Sequence, residues 1–300
     1  RCTEPVSAAH LRVDIAGQAW CWGFGVGGQL GDGVSTDSAT PVIIAGNHRF
    51  VHVTPESAGW QYVGFDLYRV PQGETLDVET GSREHCIVFI GGRGKATAGG
   101  RDLGVLGERK DPFSGRPWSL YVPAGSAWQV VAENDLELAV CSSPGNAGAR
   151  EPRVIRPDSH ALITRGKGNN VRYVTDIINE SDPADSLLVV EVITPAGNAS
   201  SYPPHKHDRD AFPEETRLEE VYYHRLNPPQ GFGFHRIYTD DRSLDVSMTI
   251  EDGDVTLVPR GYHPCAALHG YDLYYLNVMA GPKRIWRFYN DPAHEWMLKA

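Results

Sequence analysis

The sequence has 300 residues, of which 41% are hydrophobic and 22% charged, a composition typical of a globular protein with a sizeable core. Its formal net charge of −10 argues against nucleic-acid binding, which normally requires a basic face. No apolar run approaches the roughly 18 residues of a membrane helix, so we expect no membrane association either.

Residues 1–46 differ in character from the rest of the chain. They contain a G-x-G-x-x-G pattern at Gly23, Gly25 and Gly28, but a dinucleotide site would need a helix after it. The stretch QLGDGVSTDSATP that follows cannot form one. The segment instead resembles one repeat of a β-propeller of the regulator-of-chromosome-condensation type, and a single blade cannot bury its own faces. We treat it as an appended arm without an assigned function.

From about Phe50 onward, short apolar runs alternate with turns rich in Gly, Pro, Asn and Asp. HCIVFIGG, WSLYVPAG, SLLVVEVITPAG and DLYYLNVMAGP are examples, and all are rich in β-branched or aromatic residues. This pattern predicts an all-β fold of the sandwich or barrel type with little helix.

An internal repeat divides this region into two parts. The stretch 122–144, VPAGSAWQVVAENDLELAVCSSP, aligns with 258–282, VPRGYHPCAALHGYDLYYLNVMAGP. The period of roughly 130 residues suits two duplicated domains. The segment SSPGNAGAREP is rich in Gly, Pro and Ser and reads as the linker, so we predict domains at 47–150 and 151–300.

The second domain contains a candidate metal site. His205 and His207 in PPHKHD leave the same face of a strand, because they flank one residue. A carboxylate from the following strand and the imidazole of His263 would complete a four-ligand site. Either Glu219 or Glu220 could be that carboxylate, because both faces of their strand are mixed. The alternative is that HKH is a solvated strand end.

These residues resemble the cupin superfamily, whose first motif carries H-x-H and then Glu and whose second carries G-x5-P-x-G and then His. The gap between His207 and Glu220 is longer than usual, and a single residue separates Gly261 from His263. Within the cupins, YPPHKHD, LEEVYYHRLNPPQGFGFHRIYTDDRSLD and RFYNDPAHEW are similar to the 5-deoxyglucuronate isomerases of bacterial myo-inositol catabolism, which are related to 4-deoxy-5-ketouronate isomerases. The resemblance implies two tandem cupin-type barrels, a bicupin. It also implies one divalent metal ion (Zn, Mn or Fe) on four ligands, namely His205, His207, Glu220 and His263.

The first domain has lost these ligands. Aligned on the repeat, Gly81 and Arg83 stand in place of the paired histidines, and Ala127 or Trp128 stands in place of His263. We therefore expect a degenerate N-terminal cupin without metal.

The resemblance further implies an aldose–ketose isomerase that converts 5-deoxy-D-glucuronate to 5-dehydro-2-deoxy-D-gluconate through a metal-stabilised enediolate. Tyr222 and His224 share the assumed inward face of Glu220, so they are candidates for proton transfer. Arg236 is the candidate partner of the substrate carboxylate, because a guanidinium can bind it bidentately. We expect a homo-oligomer that acts on a small sugar acid.

The same residues allow two alternative functions, and other features of the sequence indicate the cellular compartment. Three His and one Glu would also suit a cupin dioxygenase with Fe(II), and a non-catalytic sugar-binding cupin is a further alternative.

The start of the chain, RCTEPVSAAHLRVDIAG, lacks the order of a secretory signal. The odd number of scattered cysteines predicts reduced thiols and a cytoplasmic protein. They are Cys2, Cys21, Cys86, Cys141 and Cys265.

Overall fold

The computed structural model describes residues 9–13, 19–23, 38–44 and 48–299. Strands dominate this part of the chain, which confirms the predicted all-β fold. Helix is limited to α1, Pro55–Ala58, and two 3-10 turns, Gly168–Asn170 and Glu295–Lys299. No helix in the described ranges is long and apolar enough to cross a membrane.

The N-terminal half forms two facing sheets. A six-stranded sheet has the order β13-β10-β7-β12-β5-β4, and a four-stranded sheet has the order β6-β11-β8-β9. The strands are β4 Arg49–Val53, β5 Gly64–Val70, β6 Thr75–Glu79, β7 Arg83–Gly91, β8 Gly94–Ala98, β9 Arg101–Leu106, β10 Ser119–Val122, β11 Ala127–Ala132, β12 Leu136–Pro144 and β13 Arg153–Ile155.

The C-terminal half repeats this arrangement. Its larger sheet contains β14-β15-β16-β24-β19-β22, and a four-stranded sheet has the order β17-β23-β20-β21. Strands β18 and β25 form a separate two-stranded sheet. The strands are β14 Leu162–Arg165, β15 Arg172–Ile178, β16 Leu188–Thr194, β17 Ala199–Ser200, β18 His205–Lys206, β19 Glu219–Asn227, β20 Phe232–Tyr238, β21 Asp245–Glu251, β22 Val255–Val258, β23 Cys265–Ala267, β24 Asp272–Ala280 and β25 Tyr289–Asn290.

The division between the two barrels is best drawn from strand pairing. Strand β13 pairs with β10 of the N-terminal half, whereas β14 pairs with β15 of the C-terminal half. We therefore propose that the domain boundary lies after Ile155 rather than at residue 150.

Three strands of the arm extend the C-terminal sheet at its edge. They are β1 Ala9–Val13, β2 Ala19–Gly23 and β3 Ser38–Ile44. Strand β1 pairs antiparallel with β22, at His10 with Thr256 and at Leu11 with Val255. Gly25 and Gly28 of the glycine pattern lie outside the described residues.

The two barrels pack through a shared apolar core and a pair of reciprocal carboxylates. Glu84 of the first barrel accepts hydrogen bonds from the backbone N–H groups of Asp185, Ser186 and Leu187 in the second. Glu219 of the second barrel accepts the equivalent bonds from the first, donated by the N–H groups of residues 61–63. Each carboxylate is thus held by three donors across the boundary, a charge-assisted arrangement that fixes the two barrels against each other.

Candidate metal centre

Three side chains from distant parts of the C-terminal half meet at one point inside the barrel. Ligand atoms of His207, Glu220 and His263 all lie within 4.8 Å of one another, and the three residues are buried. The Nε2 atoms of His207 and His263 lie 3.0 and 3.1 Å from Oε2 of Glu220. One anionic oxygen donor and two imidazole nitrogens are suited to a divalent transition metal or zinc.

The fourth predicted ligand, His205, lies beside this cluster on the side of the cavity. Its ring centroid is 4.9 Å from that of His263 and 6.4 Å from that of His207. Burial, reinforced by the neighbouring imidazoles, lowers the pKa of His205 well below its usual value, so the ring is neutral. A neutral imidazole is the form that can bind a metal.

The long segment between His207 and Glu220 is a loop, or excursion, whose two ends are hydrogen-bonded to each other. Leu218 N–H donates to the His207 carbonyl at 2.9 Å, and the Nδ1 atom of His207 lies 3.1 Å from the carbonyl of Leu218. Within the excursion, the buried carboxylate of Glu215 accepts the N–H groups of Asp208 and Arg209. The insertion therefore brings the ligands as close together as a short connection would.

Alternation along β19 separates its two adjacent glutamates. Val221 and Tyr223 pack in the core between the barrels, and Glu219 lies on the same face. Tyr222 packs with the interior of the C-terminal barrel, and Glu220 lies on that face. This is the orientation expected of a regular strand, in which successive side chains point to opposite sides.

The turn before His263 requires glycine. Gly261 has φ +91°, and a Cβ atom there would lie 2.4 Å from the carbonyl oxygen of Tyr238. Its N–H donates to the Asp208 carboxylate at 2.7 Å, and its carbonyl lies 2.8 Å from Nδ1 of His263. The turn therefore orients the imidazole and links it to the residue that follows His207.

Hydrogen bonds orient both imidazoles of the cluster, and Nε2 of His207 is itself within hydrogen-bond distance of Glu220 Oε2, at 3.0 Å. The Nδ1 atoms of His207 and His263 each meet a backbone carbonyl, which fixes the proton on Nδ1 and directs the Nε2 lone pair inward. Nε2 of His263 is buried and makes no hydrogen bond. Burial opposes ionisation of Glu220, but the adjacent His263 and His207 outweigh it and hold its pKa at about 2. The donor set thus fits a cation.

A cavity of about 720 Å³ opens directly beside the cluster. This volume lies in the range of small-molecule sites. His205 and Tyr222 line it, and the Tyr222 hydroxyl lies 3.3 Å from that of Ser201. Burial raises the pKa of Tyr222 well above its usual value, so the phenol keeps its proton.

Two predicted site residues lie outside this cavity. His224 is fully buried, with Nε2 3.1 Å from the Thr256 hydroxyl, and it is not among the described residues that line the cavity. Arg236 is exposed on the outer face of β20, where it makes a bidentate ion pair with Asp245 at 2.8 Å. The buried position in that strand belongs to His235. Arg236 therefore does not line this cavity, and its role in binding the substrate carboxylate remains a prediction that its position disfavours.

Comparison with known proteins identifies the family. The chain matches the KduI/IolB family over residues 40–297. It belongs to this family. The 5-deoxy-glucuronate isomerase of Geobacillus kaustophilus is 51% identical over 251 residues, which are 83% of this chain and 91% of that protein. An IolB-like protein from Salmonella typhimurium has a crystal structure that superposes with a TM-score of 0.82 at 48% identity, covering 85% of this chain and 97% of that one.

More distant structures show the fold alone. Oxalate decarboxylase from Bacillus subtilis superposes with a TM-score of 0.60 at 13% identity, covering 82% of this chain and 76% of that one. That enzyme is described with Mn(II) centres. Together with the paired barrels, the likeness confirms the predicted cupin fold for this KduI/IolB member.

Sequence reasoning missed Asn277, a residue that contacts the site. Its side-chain amide donates to Oε1 of Glu220, the carboxylate oxygen that faces away from the histidines, and it lines the cavity. Asn277 lies opposite Tyr222 in the β19–β24 ladder. A single amide inside the apolar run DLYYLNVMA was the signal, because a buried polar side chain needs a partner.

The N-terminal barrel has a packed aromatic pair at the strand positions that correspond to the candidate metal cluster. Strand β7 carries Glu84 and His85 where β19 carries Glu219 and Glu220. The indole N–H of Trp128 donates to Nδ1 of His85 at 3.1 Å, and both side chains are buried. No metal-ligand cluster like that of the C-terminal half occurs among the described residues of this barrel.

Proposed function

We propose that the protein is a metal-dependent isomerase that converts 5-deoxy-D-glucuronate to 5-dehydro-2-deoxy-D-gluconate. Membership of the KduI/IolB family supports the reaction, since its relatives in Geobacillus and Bacillus are named 5-deoxy-glucuronate isomerases. The observation that carries the proposal is the buried cluster of His207, Glu220 and His263, which lies next to a cavity of about 720 Å³ lined by His205, Tyr222 and Asn277.

The side chains of His205, His207, Glu220 and His263 would together hold one divalent ion. A divalent cation bound there supplies Lewis acidity that polarises the carbonyl group of the substrate. Glu220 is the only anion in this set, and Asn277 fixes its second oxygen. Of these four residues, His205 is the one that lines the cavity, so it connects the donor set to the space available to a substrate.

The isomerisation moves one carbon-bound proton and one hydroxyl proton. The carbinol carbon next to the aldehyde loses its hydrogen, the aldehyde carbon gains one, and the hydroxyl hydrogen passes to the former carbonyl oxygen. The phenol of Tyr222 stays protonated and faces the cavity, so it is placed to donate a hydrogen bond to a substrate oxygen as charge develops there. Because His224 does not line the cavity, we assign it a structural role below the site.

A direct assay tests this function. Purified protein is incubated with 5-deoxy-D-glucuronate without oxygen, and the product is followed by NMR with and without prior removal of metal by a chelator. We expect turnover without oxygen that is lost on chelation and restored by a divalent ion. A reaction that requires oxygen would indicate a dioxygenase instead. Tyr222→Phe should lower kcat while the metal content stays unchanged.

We further propose that the chain acts as a homo-oligomer in the cytoplasm. Phe232 and Phe234 are exposed on β20 with their rings 5.9 Å apart, and neighbouring exposed aromatic side chains are typical of protein contacts. The thiols of Cys86, Cys141 and Cys265 are free and buried, as suits a reducing compartment. Light scattering of the purified protein measures the subunit number.

A further inference from the structure

Three basic side chains line the cavity and no acidic one does. They lie in the stretch LITRGKGNNVR. Arg165 ends β14, Lys167 lies in the connection that follows, and Arg172 begins β15. No Asp or Glu occurs among the described residues of the cavity lining. In a chain with a formal charge of −10, this local excess of positive charge makes the cavity selective for an anion.

Arg172 is a partly buried arginine that lines the cavity, whereas Arg83, Arg153 and Arg284, which also donate to backbone carbonyls, do not. Its Nη1 donates to the carbonyl and the side-chain oxygen of Asn170, at 3.0 and 2.8 Å. No carboxylate of the described residues pairs with it, whereas the buried Arg109 pairs with Glu191 at 2.9 Å. Burial lowers the pKa of the Arg172 guanidinium, and the nearby Arg165 lowers it as well. Its Nε and Nη2 groups can donate two parallel hydrogen bonds to a carboxylate.

The segment that carries Arg172 has a fixed shape. Gly166 has φ +84°, and a Cβ atom there would lie 1.7 Å from the carbonyl oxygen of Asn170. The Asn170 amide donates to the Tyr202 carbonyl at 3.0 Å, three residues before His205. Arg172 is thus connected through one side chain to the segment that supplies the candidate metal ligands.

A six-carbon uronate matches this arrangement because its two functional ends differ. The aldehyde is at one end and the carboxylate at the other, about 6 Å apart across five carbon–carbon bonds of about 1.5 Å. His205, Tyr222 and Arg172 all line the same cavity. Arg165 also lines this cavity and is close enough to Arg172 to lower the pKa of its guanidinium. The guanidinium carbon of Arg165 lies 5.8 Å from the centroid of the Trp286 ring.

We propose that Arg172, supported by Arg165, binds the carboxylate of the sugar-acid substrate and so sets both its orientation and the preference for acids over neutral sugars. This assignment rests on the proposed isomerase function. It places the carboxylate where the exposed Arg236 cannot reach it.

The test compares a charged and a neutral substrate in two arginine variants. Arg172→Gln should raise KM for 5-deoxyglucuronate by about tenfold to a hundredfold, the range for a charged hydrogen-bonded pair. Its activity on 5-deoxyglucose, in which a hydroxymethyl group replaces the carboxylate, should be unchanged, as should its metal content. Arg236→Gln removes the same charge from the outer surface and is the matched control, with no expected change. Equal KM values for the two variants would overturn the assignment.

Two further measurements cover the cases in which Arg172→Gln does not fold or the wild-type protein does not turn over the substrate. If thermal melts show that Arg172→Gln does not fold, Arg172→Lys keeps the charge but loses the fork, and an unchanged KM in that variant would also overturn the proposal. If the wild-type protein fails to turn over 5-deoxyglucuronate, the proposed function is wrong. Calorimetric titration with D-glucuronate then decides the anion subsite by itself. Binding that is lost with Arg172→Gln and kept with Arg236→Gln supports it, and equal binding in both refutes it.

Discussion

Glu219 and Glu220 are adjacent residues of the same type with unrelated surroundings. Glu220 faces two imidazoles inside the barrel, and Glu219 accepts three backbone N–H groups of the other barrel. Their separation follows from strand alternation alone, since one side of β19 faces the barrel interior and the other faces the boundary.

Glu220→Gln should abolish turnover and reduce metal content to a small fraction of one equivalent per chain. A neutral amide is a poor ligand, and the site would lose its only anionic donor. Inductively coupled plasma mass spectrometry on protein purified without added metal measures the loss. A fully loaded Glu220→Gln protein would mean that the carboxylate is not a ligand.

Glu219→Gln should keep its metal but lose stability. The amide can accept hydrogen bonds through only one oxygen, so at least one buried N–H of residues 61–63 loses its partner, at a cost of about 2 kcal/mol. Urea denaturation monitored by fluorescence measures the free energy of unfolding, with Glu214→Gln in the exposed excursion as the control. Loss of metal with unchanged stability would reverse the roles of the two glutamates.

Individual residues show how far the sequence alone could go. The H-x-H spacing and the turn VPRGYHP predicted His205, His207 and His263, because both patterns constrain direction locally. Choosing Glu220 required a family resemblance, since both faces of β19 carry polar side chains. Arg236 was misplaced because the strand GFGFHRIY has two basic residues of opposite parity, and its inward position belongs to His235. Arg172 follows a glycine-rich turn, where no periodicity indicates which way a side chain points.

At the scale of elements, the two barrels share strand order and differ in what fills them. The repeat predicted both barrels, because turn residues and apolar runs recur at the same offsets. It also predicted the loss of ligands in the first copy. It could not predict the replacement, in which Trp128 hydrogen-bonds to His85 and apolar side chains fill the interior. Such packing depends on contacts between residues far apart in sequence.

This asymmetry predicts one metal equivalent per chain. The C-terminal barrel offers four candidate ligands, whereas the buried indole of Trp128 occupies the corresponding place in the N-terminal barrel. Metal analysis of the wild-type protein should give about one equivalent, and the double variant His205→Ala, His207→Ala should give close to none. A second equivalent that survives in the double variant would locate a site elsewhere in the chain.

At the scale of the whole molecule, the boundary between barrels contains much of the stability. The apolar core there draws on both halves, and the buried pair Arg109 and Glu191 joins them as well. Glu84 and Glu219 add reciprocal bonds across it. The N-terminal barrel is therefore a packing partner of the C-terminal barrel. It supports β19 through Glu219, next to the metal-facing Glu220.

Among the residues that the structure describes, the arm joins the C-terminal barrel at the edge strand β22. Its strand β1 pairs with β22 at His10 with Thr256 and at Leu11 with Val255, and the family match begins only at residue 40. Removal of residues 1–46 should leave kcat, KM and metal content unchanged and lower the melting temperature by no more than a few degrees, because the pairing of β1 with β22 among the described residues covers two residue pairs at a sheet edge.

The truncation has one structural consequence that can be measured separately. Strand β22 also pairs with β19, the strand of Glu220, and removing β1 leaves the other edge of β22 uncovered. Exposed strand edges promote pairing between chains, so the truncated protein should associate more readily at high concentration, as light scattering would reveal. A shortened protein that stays dispersed but loses metal would contradict this expectation. It would mean that the arm holds β22 in place, and through β22 the register of β19 and the position of Glu220.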